Sequence, residues 1–315
     1  MSLPETLRLG TRQSALALAQ ANLFAAALLT AWPAMAGRVH TIPMQTTGDI
    51  IRDKPLYDIG GKALFCRELD QALLDGSIDL AIHSLKDVPT ALPGGLCLAA
   101  VLPRADCRDV LVSRDSLSLH QLPSGAVVGT SSPRRRAILA ARFPHLLVRP
   151  IRGNVPTRLQ LVEDGHVDAV ILAAAGLDRL NLSHRATAIL PPDVMLPAAT
   201  QGIIAAVCRA DDLRLRQLLG VLNHQPTWIQ AVCERAFLGV LDGSCRTPIG
   251  AWAEVTGDTP TGLTLHGLLA APDGSKLYQI RLDGSANTPE ALGQDAARQI
   301  TASTGEVFMA ALRGE

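Results

Sequence analysis

One pattern occurs twice in this chain: Asp75-Gly76-Ser77-Ile78-Asp79-Leu80-Ala81-Ile82 returns as Asp164-Gly165-His166-Val167-Asp168-Ala169-Val170-Ile171. In each copy a helix-like stretch precedes the Asp-Gly turn, and a short apolar run of the parallel-strand type follows it. A second echo is a strand ending in Gly-Thr, Leu7 to Thr11 and again Val127 to Thr130, each leading through Ser- and Arg-rich residues into a helix. Together they predict two similar α/β lobes, each a mainly parallel sheet flanked by helices. The first lobe runs to about Leu102, where Pro103 to Arg108 reads as a hinge, and the second to about Ala199. Gln201 to Leu222 reads as a helix returning to the first lobe, which makes a two-stranded crossover. After His224-Gln225-Pro226 come a helix, a turn, three strands and a last helix, Pro289 to Ala302, a small α+β domain with an antiparallel sheet. The expected division is 1–102 plus 200–222, then 103–199, then 223–315.

With 315 residues, 48% of them hydrophobic, the chain can bury more than one core. Acidic and basic residues balance at 29 each, so there is no global field for nucleic acid or an anionic membrane. Six cysteines, at 66, 97, 107, 208, 233 and 245, show neither CxxC nor metal-site spacing, which fits a reducing compartment and no metal. The apolar run Ala15 to Trp32 follows Arg8 and Arg12 like a signal peptide, but Gln20 and Asn22 interrupt it and Leu7 to Gly10 reads as a strand. The expectation is a cytoplasmic protein without a transmembrane segment.

Where the arginines fall is more telling than their number. Arg12 lies in Thr11-Arg12-Gln13-Ser14 between a strand and a helix; Arg134, Arg135 and Arg136 follow Ser131-Ser132-Pro133 at a helix start. Arg152 opens Arg152-Gly153-Asn154, Arg158 sits one turn into the next helix, and Lys86-Asp87 follows the strand Leu80 to Ser84. All these are carboxyl ends of strands, where open α/β sheets bind ligands. A cation at a helix N-terminus costs a few tenths to about 1 kcal/mol, so several together point to an anion completing the site. Without GxxxxGK[ST] or GxGxxG, carboxylate is favoured over phosphate, and 3% aromatic content argues against nucleic acid. Asp87 is an acid among these cations. It reads either as an ion-pair partner or as a carboxylate aimed at developing positive charge.

Cys245 lies in Asp242-Gly243-Ser244-Cys245-Arg246-Thr247-Pro248, between the helix-like Thr227 to Leu241 and a strand-like Pro248 to Thr256. A thiol on a glycine-flanked turn is presented rather than packed. Arg246 favours the thiolate and the preceding helix C-terminus opposes it. The residues alone leave a functional and a packing thiol both open.

These blocks, in this order, resemble the porphobilinogen deaminase family, also called hydroxymethylbilane synthases. The resemblance runs from Leu7 to the end of the third domain. It rests on Glu234-Arg235-Ala236-Phe237 with Leu241 to Gly250, on Thr11 to Ser14, Gly60-Gly61-Lys62, and His83 to Pro89. Gly129 to Ser132 with Arg134-Arg135, Arg152-Gly153-Asn154, Ala175-Gly176-Leu177 with Arg179, and Leu196-Pro197 with Gln201-Gly202 complete it. It implies two lobes like those of periplasmic binding proteins around a cleft, plus the small C-terminal domain. It also implies a dipyrromethane cofactor joined by a thioether to Cys245, on which four porphobilinogen units are deaminated and joined head-to-tail before water releases hydroxymethylbilane. Each pyrrole carries acetate and propionate, so the growing chain gathers carboxylates for the arginines to neutralise. By the same resemblance Asp87 is the catalytic carboxylate. Arg12, Ser14, Arg152, Arg179, Lys62 and Gln201 hold substrate. Lys86, Ser132, Arg134, Arg135 and Arg158 hold the cofactor, and the protein is a monomer.

The stretch Thr47 to Lys62 resembles the family's mobile lid, with departures: Thr47 and Asp58 stand where some relatives carry Arg and Lys, and Ala63 replaces a usual Gly. Two other classes compete. A non-enzymatic clamshell carboxylate binder accounts for the lobes and arginines but leaves Cys245 and the third domain unexplained. A cysteine hydrolase lacks a histidine in a persuasive partner context.

Overall fold

A computed structural model describes residues 3–50, 65–241, 247–256, 261–305, 308, 309 and 312. Four strands come first: β1 (Leu7–Arg12), β2 (Val39–Met44), β3 (Leu80–Ser84) and β4 (Leu96–Val101). Then follow β5 (Asp109–Ser113), β6 (Val127–Gly129), β7 (Leu147–Arg149), β8 (Ala169–Ala173), β9 (Ala188–Leu190) and β10 (Ile204–Arg209). They make two five-stranded sheets, ordered β2-β1-β3-β10-β4 and β7-β6-β8-β5-β9. In the first, β1 runs parallel to β2 and β3 while β10 runs antiparallel to β3 and β4. In the second, β6 runs parallel to β7 and β8 while β5 runs antiparallel to β8 and β9. Four strands of each sheet thus point one way and the fourth position is reversed. The expected pair of parallel-rich α/β sheets is present, with one topology used twice.

The helices between them are α1 (Ala15–Ala31), α2 (Thr47–Ile50), α3 (Arg67–Leu74), α4 (Pro133–Arg142), α5 (Val155–Glu163), α6 (Ala174–Asp178) and α7 (Leu213–Gly220). Alternation along the strands explains how both sheet faces are covered. Leu80 and Ile82 with Ile204, Ala206 and Cys208 turn to α1 and α7, while Ala81 and Val207 turn to Leu69 and Leu73 of α3. On α1 the buried residues Ala17, Ala21, Phe24 and Leu28 recur every three or four positions. Burying Phe24 and Leu28 contributes about 1.5–3 kcal/mol each. The second sheet repeats the scheme, with Val128, Ala169 and Ile171 against α4 and Val170 and Leu172 against α5.

The repeated sequence has a physical reason. Gly76 (φ +76°) and Gly165 (φ +72°) end α3 and α5 in the left-handed region that suits glycine. Three residues on, Asp79 accepts a hydrogen bond from the Arg8 N–H at 2.7 Å, and Asp168 accepts one from the Val127 N–H at 2.7 Å. Each acid also donates its own backbone N–H to that residue's carbonyl at 2.9 Å. In both sheets this aspartate therefore fixes where the neighbouring strand begins.

One expectation is overturned. Gln201 to Leu222 is not one helix: Ile204–Arg209 is β10, inside the first sheet, and only Leu213–Gly220 is helical, capped by Asp212 accepting from the Leu215 N–H at 2.9 Å. A continuous apolar run buried on both faces has no period to separate strand from helix, and its β-branched Ile203, Ile204 and Val207 favour the strand. The chain segments that leave and re-enter the first unit meet backbone to backbone. Ala105 donates to the Gly202 carbonyl at 3.2 Å, and a Cβ on Gly202 (φ +90°) would lie 2.5 Å from the Ala105 oxygen.

The described residues form two compact units: 3–50 with 65–105 and 202–228, and 106–201 with the described residues from 229 on. The remaining elements are α8 (Gln225–Val240), β11 (Ile249–Thr256), β12 (Gly262–Ala270), β13 (Leu277–Ser285) and α9 (Pro289–Thr304). The three strands form an antiparallel sheet in chain order. Phe237 of α8 and Leu292, Ala296 and Ile300 of α9 pack on it with Ala251, Ala253 and Leu265. Glu234 of α8, fully buried, accepts from the Thr200 N–H at 2.5 Å and the Ala253 N–H at 2.7 Å. Among the described residues no helix is long and apolar enough to cross a membrane.

Candidate active site

In the first unit the site residues gather where β1 and its neighbour β3 end. Arg12 is the last residue of β1, and Ser14 caps α1 by accepting from the Ala17 N–H at 3.3 Å. β3 runs straight into the short turn Leu85–Asp87, which carries exposed Lys86 and half-buried Asp87. Arg12, Ser14, Gln20, Phe65, His83, Ser84 and Asp87 line one cavity. Gln20 donates to the Ser84 hydroxyl at 2.6 Å, fixing one wall.

Arg12 is not idle there. Its guanidinium lies 4.1 Å over the Phe65 ring and forks onto Asp49 of α2, with Nε to Oδ2 at 3.2 Å and Nη2 on Oδ1. Burial alone raises the Asp49 pKa, but hydrogen bonds from Arg12 and Thr46 outweigh it and hold the carboxyl below the usual range. Thr47 is tied to Glu68 Oε1 through its N–H at 2.9 Å and its hydroxyl at 2.5 Å. In the cavity wall, buried His83 has its pKa pushed down to about 4 by burial and by the Arg12 charge, so the ring is neutral at pH 7.

In the second unit the arginines separate into two kinds. Asp109, at the start of β5 and fully buried, binds three of the expected site residues. Arg134 donates to it at 2.8 Å, Arg135 at 2.6 and 3.1 Å, and the Gln201 amide at 2.8 Å. Arg135 also donates to the Ile171 carbonyl at 2.8 Å, Gln201 to that of Cys107 at 2.7 Å, and Arg134 to that of Leu196. Burial pushes the Asp109 pKa up, but two guanidinium charges win and hold it well below the carboxylate range. Ser132 caps α4, its hydroxyl accepting from the Arg135 N–H at 3.4 Å.

Arg152 and Arg158 belong to the second kind. They follow β7 through Gly153 (φ +101°), where a Cβ would meet Thr157 at 2.7 Å, and Asn154 caps α5. Half-buried Arg158 has its pKa pushed down to about 10, by burial first and then by the charges of Arg135 and Arg152. Arg179, at the end of α6 beyond β8, is pushed down to about 10 by burial. At Arg158 the neighbouring like charges and burial act in the same direction, both disfavouring the charged form.

The structure therefore brings Arg12, Ser14 and Asp87 together in one unit, and Arg134, Arg135 and Gln201 around Asp109 in the other. Lys62, Asp58 and Cys245 lie outside the described residues, as does the supposed lid beyond Ile50. Sequence reasoning missed Asp49, Phe65 and Asp109. Only Asp109 left a signal, an acid opening the apolar run Val110-Leu111-Val112.

Comparison with known proteins decides the family. Residues 7–217 match the model for the porphobilinogen deaminase dipyrromethane cofactor binding domain, and residues 228–302 match that for the porphobilinogen deaminase C-terminal domain. The chain belongs to the porphobilinogen deaminase family. Chloroplastic porphobilinogen deaminase of Oryza sativa subsp. japonica is 46% identical over 98% of this chain and 86% of its own length. The porphobilinogen deaminase of Nitrobacter hamburgensis is 46% identical over 97% of this chain and 96% of its own, and that of Nitrosomonas europaea 46% over 99% and 100%. Among solved structures, an ancestral cationic amino acid solute binding protein is similar at TM-score 0.44 and 16% identity, over 69% of this chain and 88% of its own. As a family member the chain is a transferase of porphyrin biosynthesis with a dipyrromethane cofactor. The residues fit such a group: half-buried Arg152 and Arg158, with the buried Arg135 charge near Arg158, suit pyrrole carboxylates.

Proposed function

We propose that this chain deaminates four porphobilinogen molecules and joins them head-to-tail, releasing hydroxymethylbilane, with Cys245 as the thioether attachment point. The observation that carries the reading is the cavity lined by both Arg12 and Asp87. Porphobilinogen has carboxylates on one part and an amine on another, and a guanidinium with a carboxylate complements both. When bound, the dipyrromethane supplies the nucleophilic pyrrole carbon to which units are added. Asp87 stabilises positive charge that develops on pyrrole nitrogen and holds a proton there. Arg12, Ser14, Arg152, Arg179 and Lys62 bind substrate carboxylates. Lys86, Ser132, Arg135 and Arg158 hold the cofactor, while Arg134 and Gln201 act through Asp109, which fixes the Arg135 fork.

The domain division 1–102 plus 200–222, 103–199 and 223–315, a cytoplasmic location and a monomeric state belong to the same reading. Intact mass tests it. The purified protein is expected to be heavier than its sequence by two pyrrole units, and Cys245→Ser is expected to remove both the extra mass and most turnover. Peptide mapping that puts the mass on another cysteine refutes the assignment. A protein of bare sequence mass that turns over no porphobilinogen returns the chain to the clamshell-binder reading.

A further inference from the structure

His83 is 4% exposed, lines the Arg12–Asp87 cavity and leaves its Nε2 buried with no hydrogen-bond partner among the described residues. Such atoms are rare in native proteins and call for a reason. The other ring nitrogen, Nδ1, faces the Cys66 sulfur at 3.8 Å, and that sulfur lies 3.3 Å from the Asp87 carbonyl, to which it donates.

Counting protons settles the tautomer. The Cys66 thiol has one hydrogen, and burial followed by the nearby Asp70 and Asp87 charges pushes its pKa up, so it stays a thiol. That hydrogen goes to the Asp87 carbonyl, so the sulfur can only accept from the ring. Nδ1 then carries the imidazole proton and Nε2 is a bare acceptor. A neutral acceptor beside the Asp87 carboxylate repels an anion and suits an N–H donor. Arg12, in the same cavity, has the opposite preference.

We propose that His83 Nε2 accepts a hydrogen bond from an N–H of bound porphobilinogen, turning the ring so that its carboxylates face Arg12 and its nitrogen faces Asp87. The proposal rests on porphobilinogen being the substrate, as argued above. It makes His83 a substrate contact, and Cys66 a positioning residue that links this ring to the Asp87 backbone.

The test compares His83→Leu and His83→Gln holoenzymes with wild type. Leucine removes an unpartnered polar atom from a buried place, so the melting temperature is expected to hold or rise. With porphobilinogen, His83→Leu is expected to lose about ten- to hundredfold in kcat/KM. His83→Gln, whose amide oxygen can reach the Nε2 position, is expected to recover most of that loss. Nitrogen-15 NMR of histidine-labelled wild type at pH 7 is expected to show a neutral ring protonated on Nδ1, absent from both variants. Wild-type kcat/KM in His83→Leu overturns the proposal, as does an Nε2-protonated ring. A wild-type enzyme that consumes no porphobilinogen overturns the parent reading and this one with it, whatever the tautomer.

Discussion

Two pairs of loops in equivalent positions of the two sheets differ in charge, while the end of β1 and the helix start after β6 both carry arginine. β2 and β7 hold the same place in the strand order, as do β3 and β8. After β2 comes Asp49 and after β7 comes Arg152; after β3 comes Asp87 and after β8 comes Arg179. The serine caps are shared, Ser14 on α1 and Ser132 on α4. One backbone plan thus fixes where side chains emerge, and the loops decide the chemistry. The first sheet surrounds one guanidinium with acids. The second gathers Arg134 and Arg135 around one buried acid, Asp109, and places Arg152, Arg158 and Arg179 in the segments that follow neighbouring strands.

The sharpest way to break this contrast is Asp109→Asn. Removing one partner of a buried ion pair costs about 3–5 kcal/mol, because the remaining charges stay buried. Urea unfolding is expected to show a loss of that size. The carboxyl is held below its ordinary value of 3.8, so its contribution is complete above that value and disappears as pH falls through the depressed one. The gap between wild type and variant is therefore expected to be constant from neutral pH to about pH 4 and to narrow below it. A gap that widens in acid contradicts the assignment.

Next in size is Asp87→Asn, which tests the acidic side of the comparison. A carboxylate acting on charge formed along the reaction affects kcat more than KM, and a loss of about a hundredfold or more in kcat is expected. Near-normal kcat in steady-state assays returns Asp87 to an ion-pair role.

Arg152→Lys keeps the charge of the second sheet's loop but not its fork. Turnover is expected to fall about tenfold, with enzyme intermediates piling up at one particular number of added pyrroles. Mass spectra with the wild-type distribution of intermediates contradict a role for this guanidinium in carrying the chain forward.

The smallest effect is expected from Asp49→Asn. The Arg12–Asp49 pair is partly exposed, at 21% and 13% of the side chains, so its loss costs stability under about 1 kcal/mol. Substrate carboxylates then no longer compete with an internal one, and KM is expected to fall about two- to threefold. A higher KM in the variant makes Asp49 a support for Arg12 and removes it as a competitor.

Much of this arrangement is legible in the amino-acid sequence, for reasons that differ by residue. The Asp-Gly echoes are readable because the glycine turn that ends the helix and the apolar run that follows it are local, within a few residues. The bonds made by Asp79 and Asp168 are not local. Arg12, Lys86 and Asp87 are readable because strand ends are marked by where apolar runs stop. β10 reads as helix because a strand buried on both faces loses its alternation. Asp109 escapes notice because its partners lie 25, 26 and 92 residues away, and nothing near it in sequence names them. Asp49 pairs across 37 residues with Arg12 and is hidden the same way.

The reversed strand of the first sheet has a consequence for the order of events during translation. β10 pairs with both β3 and β4, and among the described residues β4 has no other partner in its sheet. β3 ends at Ser84, whereas β10 begins at Ile204. Between them the ribosome makes every strand of the second sheet, which is contiguous from Asp109 to Leu190. The second sheet can therefore close while the first still has two open edges, and open edges invite wrong partners. The amino-terminal sheet of this chain is the later one to finish.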